Sequence, residues 1–205
     1  MDKKREQIIA GALRRFSHYG INKTTMNEIA DDLAMSKPSL YYYFPDKSAI
    51  IFAVAEKIIG EYLAYVKSIF DKKMDYAAAM TSLIDYRYTF MKKYFMLHLG
   101  EMDNEPLKDE KLMALVQDLR VKEEELITNV LEIAKKEGKL VIKDSNIIAD
   151  LFLDSLMGLR LFLHLQKCVF PDQDAFEKLY QKQKHLCEIF IKGITNQNYG
   201  AKDIK

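Results

Sequence analysis

Residues 24–47 read TTMNEIADDLAMSKPSLYYYFPDK, and the local signals in this stretch predict two short helices joined by a tight turn. Thr25 is a good N-cap for the first helix, and Glu28 follows it at the spacing of a capping box. Ser36 can cap the second helix, whose first turn contains Pro38, where a missing N–H is tolerated. The stretch therefore predicts a helix-turn-helix.

Each predicted helix has one apolar face. In the first helix the inward residues recur at spacings of three and four: Met26, Ile29, Ala30 and Leu33. The second helix ends before Pro45, because the residue that precedes a proline avoids the α conformation. Its inner face has Leu40, Tyr43 and Phe44, and its outer face has Lys37, Pro38, Ser39, Tyr41 and Tyr42. In such a motif the start of the second helix enters the DNA major groove, where lysine and hydroxyl groups suit bases and phosphates.

This region resembles the TetR family of bacterial transcriptional regulators over roughly the first fifty residues. The matching positions, in order, are Gly20, Thr24 or Thr25, Ile29, Ala30, Ser36, Leu40, Tyr41, Phe44 and Lys47. One departure is Pro38, where the family commonly has glycine or another small residue. A proline there stiffens the helix tip and narrows the set of bases that Lys37 and Ser39 can reach.

The resemblance implies an all-α fold with a DNA-binding domain at residues 1–47 and a helical effector-binding and dimerisation domain at residues 48–205. It also implies a homodimer that binds a palindromic double-stranded DNA operator and responds to an unknown small-molecule effector. Repression is the usual outcome in the family, although the sequence does not distinguish repression from activation. The implied DNA-binding residues are Lys37, Pro38, Ser39 and Tyr41 at the bases, Thr25, Tyr42 and Lys47 at the phosphates, and the cap Ser36.

Composition sets limits on the other classes. The chain has 205 residues, 49% of them apolar, and a net charge of +1, so the whole molecule has no general attraction for polyanions. Residues 1–50 contain eight basic and six acidic side chains, and DNA binding must therefore depend on where the charges lie. The basic start of the first helix could touch phosphate or could be a solvated tail.

Several segment types are not expected. The two cysteines, Cys168 and Cys187, are too few for a disulfide framework and do not have zinc-site spacing. The apolar run Ile8–Leu13 is too short for a signal peptide, and charged residues interrupt Ile147–Leu165. We therefore expect a cytoplasmic chain that does not insert in a membrane, needs no cofactor and binds no structural metal.

Helical periodicity predicts about nine helices and no strand. Beyond the helix-turn-helix, the predicted helices cover residues 3–19, 46–71, 76–99, 107–137, 145–167 and 172–195. A break near Val116–Asp118 would divide the fourth of these, and the expected caps are Asp46, then Asp144 or Ser145, and then Asp172 or Asp174. The polar end, Asn196–Lys205, is expected to fray.

The last two helices are the expected dimer interface, because they are more apolar than one-sided packing requires. The interface candidates are Leu151, Ser155, Gly158, Phe162, Leu179, Leu186 and Phe190. A hairpin that packs only within its own chain is the alternative. The effector-pocket candidates are Tyr62, Phe90, Tyr94, Met113, Phe152, Met157 and His164, each of which could equally fill a core.

The sequence gives less support to a metal site, to an enzyme and to a binding module without DNA affinity. His98 with Glu101, Asp103 and Glu105 has the residue types of a metal site, but a solvated acidic loop is the simpler interpretation. The sequence contains no reactive constellation, so we do not expect an enzyme. The alternative function is a helical module that binds a small molecule or a protein and has weak or lost DNA affinity.

Overall fold

The computed structural model describes residues 2–71, 74–94, 109–165 and 173–195, and every regular element in these ranges is an α-helix. The all-α prediction is therefore confirmed. The eight helices, in chain order, are α1 (Lys3–Tyr19), α2 (Met26–Asp32), α3 (Lys37–Tyr43), α4 (Lys47–Asp71), α5 (Tyr76–Lys93), α6 (Glu110–Lys136), α7 (Ser145–Leu165) and α8 (Gln173–Thr195).

Helix α6 corrects the predicted break near Val116–Asp118. The helix is continuous from Glu110 to Lys136, and its sequence contains neither glycine nor proline. A single poor helix former such as Asp118 costs well under 1 kcal/mol, about 0.7 at most, which hydrogen bonding on both sides overcomes. This continuity accounts for eight helices in the described residues where nine were predicted.

Some predicted features lie outside the described residues. They are the helix end at Leu99–Gly100, the helix start at Pro106, the acidic group of His98, Glu101, Asp103 and Glu105, the cap Asp172, Cys168, and the polar end 196–205.

The chain divides into two compact units. Unit 1 consists of Met1–Tyr62 and Lys93–Asp118, and unit 2 consists of Leu63–Lys92 and Leu119–Lys205. Helix α4 begins in unit 1 and ends in unit 2.

The core of unit 1 joins helices α1 to α4. Its fully buried side chains include Ile8, Phe16, Ile29, Leu40, Phe44, Ile50 and Ile58. Each such side chain stabilises the fold by about 1.5–3 kcal/mol relative to exposure. Helix α1 also approaches the end of α2 closely at Gly11, where an added Cβ would lie 2.6 Å from Leu33 Cδ2. Backbone and leucine fit there only because position 11 has no side chain.

Unit 2 is held by an apolar core and by polar contacts between its helices. Its buried side chains include Met80, Leu83, Ile84, Ile127, Leu131, Phe152 and Leu156. Helix α7 packs on α8, with the Phe152 and Phe190 rings 5.0 Å apart. Arg120 on α6 donates to Asp150 and Asp154 on α7 at 2.6 and 2.8 Å.

None of the helices in the four described ranges combines the length and hydropathy that crossing a bilayer requires.

Candidate nucleic-acid interface

Helix α2 begins with the predicted capping box. The Glu28 N–H donates to Thr25 Oγ1 at 3.3 Å, and the Thr25 N–H donates to Glu28 Oε2 at 2.8 Å. The Thr25 hydroxyl also donates to the same carboxylate oxygen, at 2.8 Å. These bonds from the hydroxyl and then the backbone of Thr25 lower the pKa of Glu28, because they stabilise its charged form. The start of α2 is thereby fixed, with Thr25 exposed to solvent.

Arg15 ties α1 to α2. Its Nη1 lies 2.8 Å from both carboxylate oxygens of Asp32, and its Nη2 lies 2.9 Å from Glu28 Oε1. The hydrogen bond to Asp32, together with the charges of Asp32 and Glu28, raises the pKa of Arg15. This contact was not predicted, since the sequence shows only that basic residues on the first predicted helix precede acidic residues on the next. The positive charge of Arg15 is consequently already neutralised.

The turn between α2 and α3 is a Schellman motif. The Met35 N–H donates to Ala30 O at 2.9 Å, and the Ala34 N–H donates to Asp31 O at 3.0 Å. Ala34 has a φ of 48°, in the left-handed region that glycine usually occupies. This turn sets the direction in which α3 leaves α2.

Helix α3 begins as predicted. Ser36 Oγ accepts from the Ser39 N–H at 3.3 Å, and Pro38 stands in the first turn. At the other end, Phe44 is extended, as the residue before Pro45 should be. The local sequence signals thus placed both ends of this helix correctly.

The two faces of α3 differ sharply in exposure. Leu40 is fully buried, and so is Phe44 at the cap, whereas Lys37 and Pro38 are exposed and Ser39 is half-buried. Tyr41 and Tyr42 expose 47% and 84% of their surface, and Tyr43 is half-buried. The side chains at the tip of α3 are therefore available to a partner, while the buried Leu40 and Phe44 hold the other face of the helix in the core.

Helix α4 begins at Lys47, shortly after the C-terminal end of α3. The Ala49 N–H donates to Asp46 Oδ1 at 2.7 Å, which confirms Asp46 as the cap. Lys47, the first residue of α4, is half-buried, and burial lowers its pKa while the charge of Glu28 opposes that shift. The predicted DNA-binding residues thus lie on three consecutive elements of unit 1, at the start of α2, of α3 and of α4.

The effector-pocket candidates are distributed over both units. Tyr62 and Tyr94 are buried in unit 1, where Tyr94 Oη donates to Glu61 at 3.0 Å. In unit 2, Phe152 is fully buried and Phe90 is half-buried. Met113 in unit 1 and Met157 in unit 2 expose 58% and 52% of their surface, and the side chain of His164 lies outside the described set. The pocket stays a prediction.

The dimer candidates lie on α7 and α8. Leu151 and Gly158 are exposed, and Ser155, whose hydroxyl donates to Leu151 O at 2.7 Å, is half-buried. On α8, Leu179 is buried, and Leu186 and Phe190 are half-buried. The side chain of Phe162 lies outside the described set. Exposed apolar residues that the prediction did not include lie on the same two helices: Ile147, Leu161 and Ile189.

Comparison with known proteins identifies the N-terminal region. Residues 8–54 match the model of the bacterial regulatory proteins of the tetR family. The chain is 38% identical over 65 residues to the HTH-type transcriptional regulator RutR of Escherichia coli K12, a match that covers 32% of this chain and 31% of RutR. It is 37% identical over 54 residues to an HTH-type transcriptional repressor of Mycobacterium tuberculosis, covering 26% of this chain and 29% of the repressor. The chain thus matches only about a third of the length of these curated relatives.

A solved structure resembles nearly the whole chain. The crystal structure of a transcriptional regulator from Cytophaga hutchinsonii superimposes with a TM-score of 0.86 at 28% sequence identity, covering 95% of this chain and 100% of that one. The predicted resemblance of residues 1–50 and the predicted fold class are both confirmed by these findings.

Proposed function

Residues 8–54 are a TetR-family helix-turn-helix domain, and from this premise we propose that the chain is a DNA-binding transcriptional regulator. It acts as a dimer on a palindromic operator in the cytoplasm and responds to a small-molecule effector. Residues 1–47 are the DNA-binding domain, and residues 48–205 form the effector-binding and dimerisation domain. Repression is the favoured outcome, because a curated relative at 37% identity is named a repressor.

The observation that carries the proposal is the exposure of the α3 tip. Lys37, Tyr41 and Tyr42 project from a helix whose other face is buried in unit 1. A helix pair with only a structural role would gain nothing from exposing two tyrosines beside an unburied lysine. A rigid head with a polar, hydrogen-bonding tip is what major-groove reading requires.

Each contact residue has a physical role in this proposal. Lys37 can donate to guanine O6 or N7, and Ser39 can contact either bases or phosphates. Pro38 and Tyr41 supply shape and apolar contact at the groove floor. The phosphate contacts are Thr25, Tyr42 and Lys47, with the N-terminal N–H groups of α4 adding to the attraction of an anion at Lys47. Ser36 fixes the helix tip by capping it.

One helix-turn-helix contacts only a few base pairs, so two DNA-binding domains are needed to recognise a longer operator. In the proposal, α7 and α8 of two chains pair through Leu151, Ser155, Gly158, Leu186 and Phe190, together with the exposed Ile147 and Ile189. Apart from the backbone of its own helix and its chain neighbours, no heavy atom lies within 4 Å of a Cβ built on Gly158, so its backbone is open to a close neighbour. Pairing would place the two α3 tips about one turn of DNA apart, roughly 34–36 Å or a multiple of it.

The effector acts by binding more tightly to one arrangement of the two DNA-binding domains in the dimer. A ligand can shift such an equilibrium only by its difference in affinity between the two states. Helix α4 starts at the DNA-binding head and continues into unit 2, so it is the element proposed to transmit the change.

The test is a titration of the full chain with duplex DNA from its own promoter region, followed by fluorescence anisotropy at several salt concentrations. We expect saturable binding at least about a thousandfold tighter than to random duplex, and a dimer in light scattering. Equal affinity for both duplexes, or a monomer at micromolar concentration, would overturn the proposal.

A module that has lost DNA affinity is the second candidate. The observation that favours it is that two of the basic residues of the N-terminal region are already engaged: Arg15 pairs with Asp32 and Glu28, and Arg5 lies over the Phe44 ring at 5.1 Å. The same titration decides between the two functions, because such a module would bind no duplex at physiological salt.

A further inference from the structure

Arg160 is a charged residue on the core-facing side of α7. It continues a stripe of buried residues that recur at spacings of four, three and four positions, in the order Ala149, Leu153, Leu156 and Arg160. Side chains at these spacings lie on one face of a helix. The three apolar members expose at most 2% of their surface, whereas Arg160 is half-buried. Arg160 therefore extends the core face of α7 and remains partly accessible.

Arg87 on α5 and Glu123 on α6 extend the core faces of their helices in the same way. Arg87 lies one turn after Leu83 and Ile84, which are both fully buried. Glu123 lies one turn before the fully buried Ile127 and exposes only 5% of its own surface. Arg87 Nη1 donates to both carboxylate oxygens of Glu123, at 2.7 and 2.9 Å. The carboxylate of Glu123 is therefore engaged by Arg87.

Contacts between α7 and α8 define the level of unit 2 at which Arg160 lies. The Phe152 ring lies 5.0 Å from the Phe190 ring, and Gln183 Nε2 donates to Leu156 O at 3.3 Å. The residue numbers rise along α7 as they fall along α8, so the two helices are antiparallel. The next turn of α7 therefore brings its arginine to the level of residues near Leu179, which is buried.

Contacts between α5 and α8 place Arg87 at the same level. Tyr88 Oη donates to Glu177 Oε2 at 2.9 Å, and Tyr180 Oη donates to Asp85 Oδ1 at 2.7 Å. These two bonds enclose Arg87 in the sequence of α5. The core-facing arginines of α5 and α7 consequently lie at one level of α8, near residues 177–180.

The Arg160 side chain has no hydrogen-bond or ion-pair partner among the residues that the structure describes. Burial lowers its pKa, because removal of water disfavours the charged form, and the charge of Arg87 lowers it further. Arginine nevertheless keeps its charge in proteins. An unpaired charge in such surroundings is costly until a counter-charge binds it.

The acids on the facing surfaces of α5 and α8 have other partners. Asp85 and Glu177 are both exposed. Asp85 accepts the Tyr180 bond and lies 3.8 Å from Lys184 Nζ. Glu177 accepts from Tyr88, and the positive charge of Lys184 helps to lower its pKa. The counter-charge for Arg160 must therefore come from outside the described residues.

We propose that unit 2 binds a monocarboxylate with an apolar body, and that the carboxylate pairs with Arg160. A guanidinium binds a carboxylate with two parallel hydrogen bonds, and one unpaired cation matches one negative charge. The buried leucines around this level, Leu153, Leu156 and Leu179, suit a hydrocarbon body. The proposal names the chemical class of the effector and rests on the proposed function for its regulatory role, whereas binding of the ligand involves no DNA.

The experiment is calorimetric titration of the full chain, without DNA and at constant ionic strength. The probes are octanoate and phenylacetate, their uncharged amides octanamide and phenylacetamide, and octyl phosphate. We expect saturable binding of at least one of the two acids, at least about tenfold tighter than its amide and tighter than octyl phosphate. Binding of neither acid, an amide within tenfold of its acid, or tighter binding of octyl phosphate overturns the proposal.

Arg160→Met separates a ligand-binding arginine from a structural one. It should weaken binding of the active acid by about ten- to a hundredfold, because a charge-assisted pair is lost. It should also raise the melting temperature of the ligand-free chain, since an unpaired desolvated charge gives way to an apolar side chain. Lys67→Gln, a loss of one positive charge at an exposed position of unit 2, should change neither value.

Three results with these variants would overturn the proposal. They are a lower melting temperature or a failure to fold in Arg160→Met, an unchanged affinity in Arg160→Met, and an equal loss of affinity in Lys67→Gln. A separate titration with promoter duplex distinguishes this proposal from the proposed function. A chain that binds the acid but no duplex keeps the carboxylate site and loses the regulator, and a chain that binds duplex but neither acid does the reverse.

Discussion

Arg15 and Asp32 face each other across the first two helices, with one guanidinium nitrogen 2.8 Å from both carboxylate oxygens. The pair is 17 positions apart in sequence, and it joins α1 to α2, the helix that precedes α3. The same guanidinium also reaches Glu28 of the capping box. The packing of α1 on α2 and the start of α2 are therefore linked through one side chain.

We predict that Asp32→Asn lowers the melting temperature. Arg15→Gln should lower it by more, because this substitution removes the contacts with both Asp32 and Glu28. The stability loss of the double variant should be smaller than the sum of the losses of the two single variants, and a double-mutant cycle measures the difference. Asp31→Asn is the matched control, since Asp31 is a neighbouring exposed acid on the same helix. A melt in which Asp31→Asn costs as much as Asp32→Asn would contradict the importance of the pair.

The capping box predicts a specific pH dependence. The pKa of Glu28 is lowered from its usual value of 4.5 by its hydrogen bonds to Thr25, so the folded state holds the ionised form more strongly than the unfolded state does. The stabilisation is therefore complete above the unfolded pKa and is lost as the pH falls through the lower folded pKa. Thermal melts between pH 6 and about 3 should show this loss.

Glu28→Gln is the variant that isolates the contribution. Its melting temperature should be lower than that of the parent at neutral pH, and the difference should shrink as the pH falls. A constant difference across the whole range would mean that the carboxylate charge contributes nothing at this helix start.

Two glycines should respond oppositely to the same substitution. Gly138 ends α6 with a φ of 73°, and the Lys139 N–H donates to Ala134 O at 2.9 Å, so an alanine there would be held in the left-handed region. Gly60 lies within helix α4. Apart from chain neighbours and the local helix backbone, no heavy atom lies within 4 Å of a Cβ built on either glycine, so the backbone conformation alone decides the effect on stability.

We predict that Gly138→Ala lowers the free energy of unfolding by about 1 kcal/mol, and that Gly60→Ala raises it by about 0.5–1 kcal/mol. Denaturant unfolding of the two variants measures both values. The backbone explanation fails if the two variants shift stability in the same direction.

The DNA contacts should separate by salt and by sequence. Lys37→Ala should weaken operator binding by about 1–3 kcal/mol and relax sequence preference, because it removes the base contact proposed for Lys37. Lys47→Ala should weaken binding to all duplexes and reduce the slope of affinity against salt by about one. Anisotropy titrations with operator and random DNA at four salt concentrations test both, with Lys67→Ala as the control. Equal effects of Lys37→Ala on operator and random DNA would remove Lys37 from base reading.

Sequence patterns predicted best where the determining groups are close in the chain. The capping box of Thr25 and Glu28, the Ser36 cap and the Asp46 cap each involve residues three positions apart, and all three are confirmed. Such bonds form within a single turn, so the local sequence determines them almost alone. The helix-turn-helix was predictable for this reason.

Contacts between distant segments were not predictable in the same way. The Arg15–Asp32 pair and the Tyr94–Glu61 hydrogen bond depend on how helices pack, which residue spacing does not determine. Periodicity likewise identifies an apolar face but not what covers it. Tyr62 and Met113, both proposed as pocket residues, are respectively buried and mostly exposed.

The left-handed backbone at Ala34 restricts which residues position 34 can accept. A β-branched residue at that position would strain the turn and tilt α3, although it removes no group that could touch a base. Under the proposed function, DNA binding would then be lost because α3 is misdirected, although every side chain proposed to contact DNA is still present. Mutations in residues 1–47 can therefore act through the orientation of α3 or through the chemistry of its exposed side chains, and different assays are needed to distinguish these two effects.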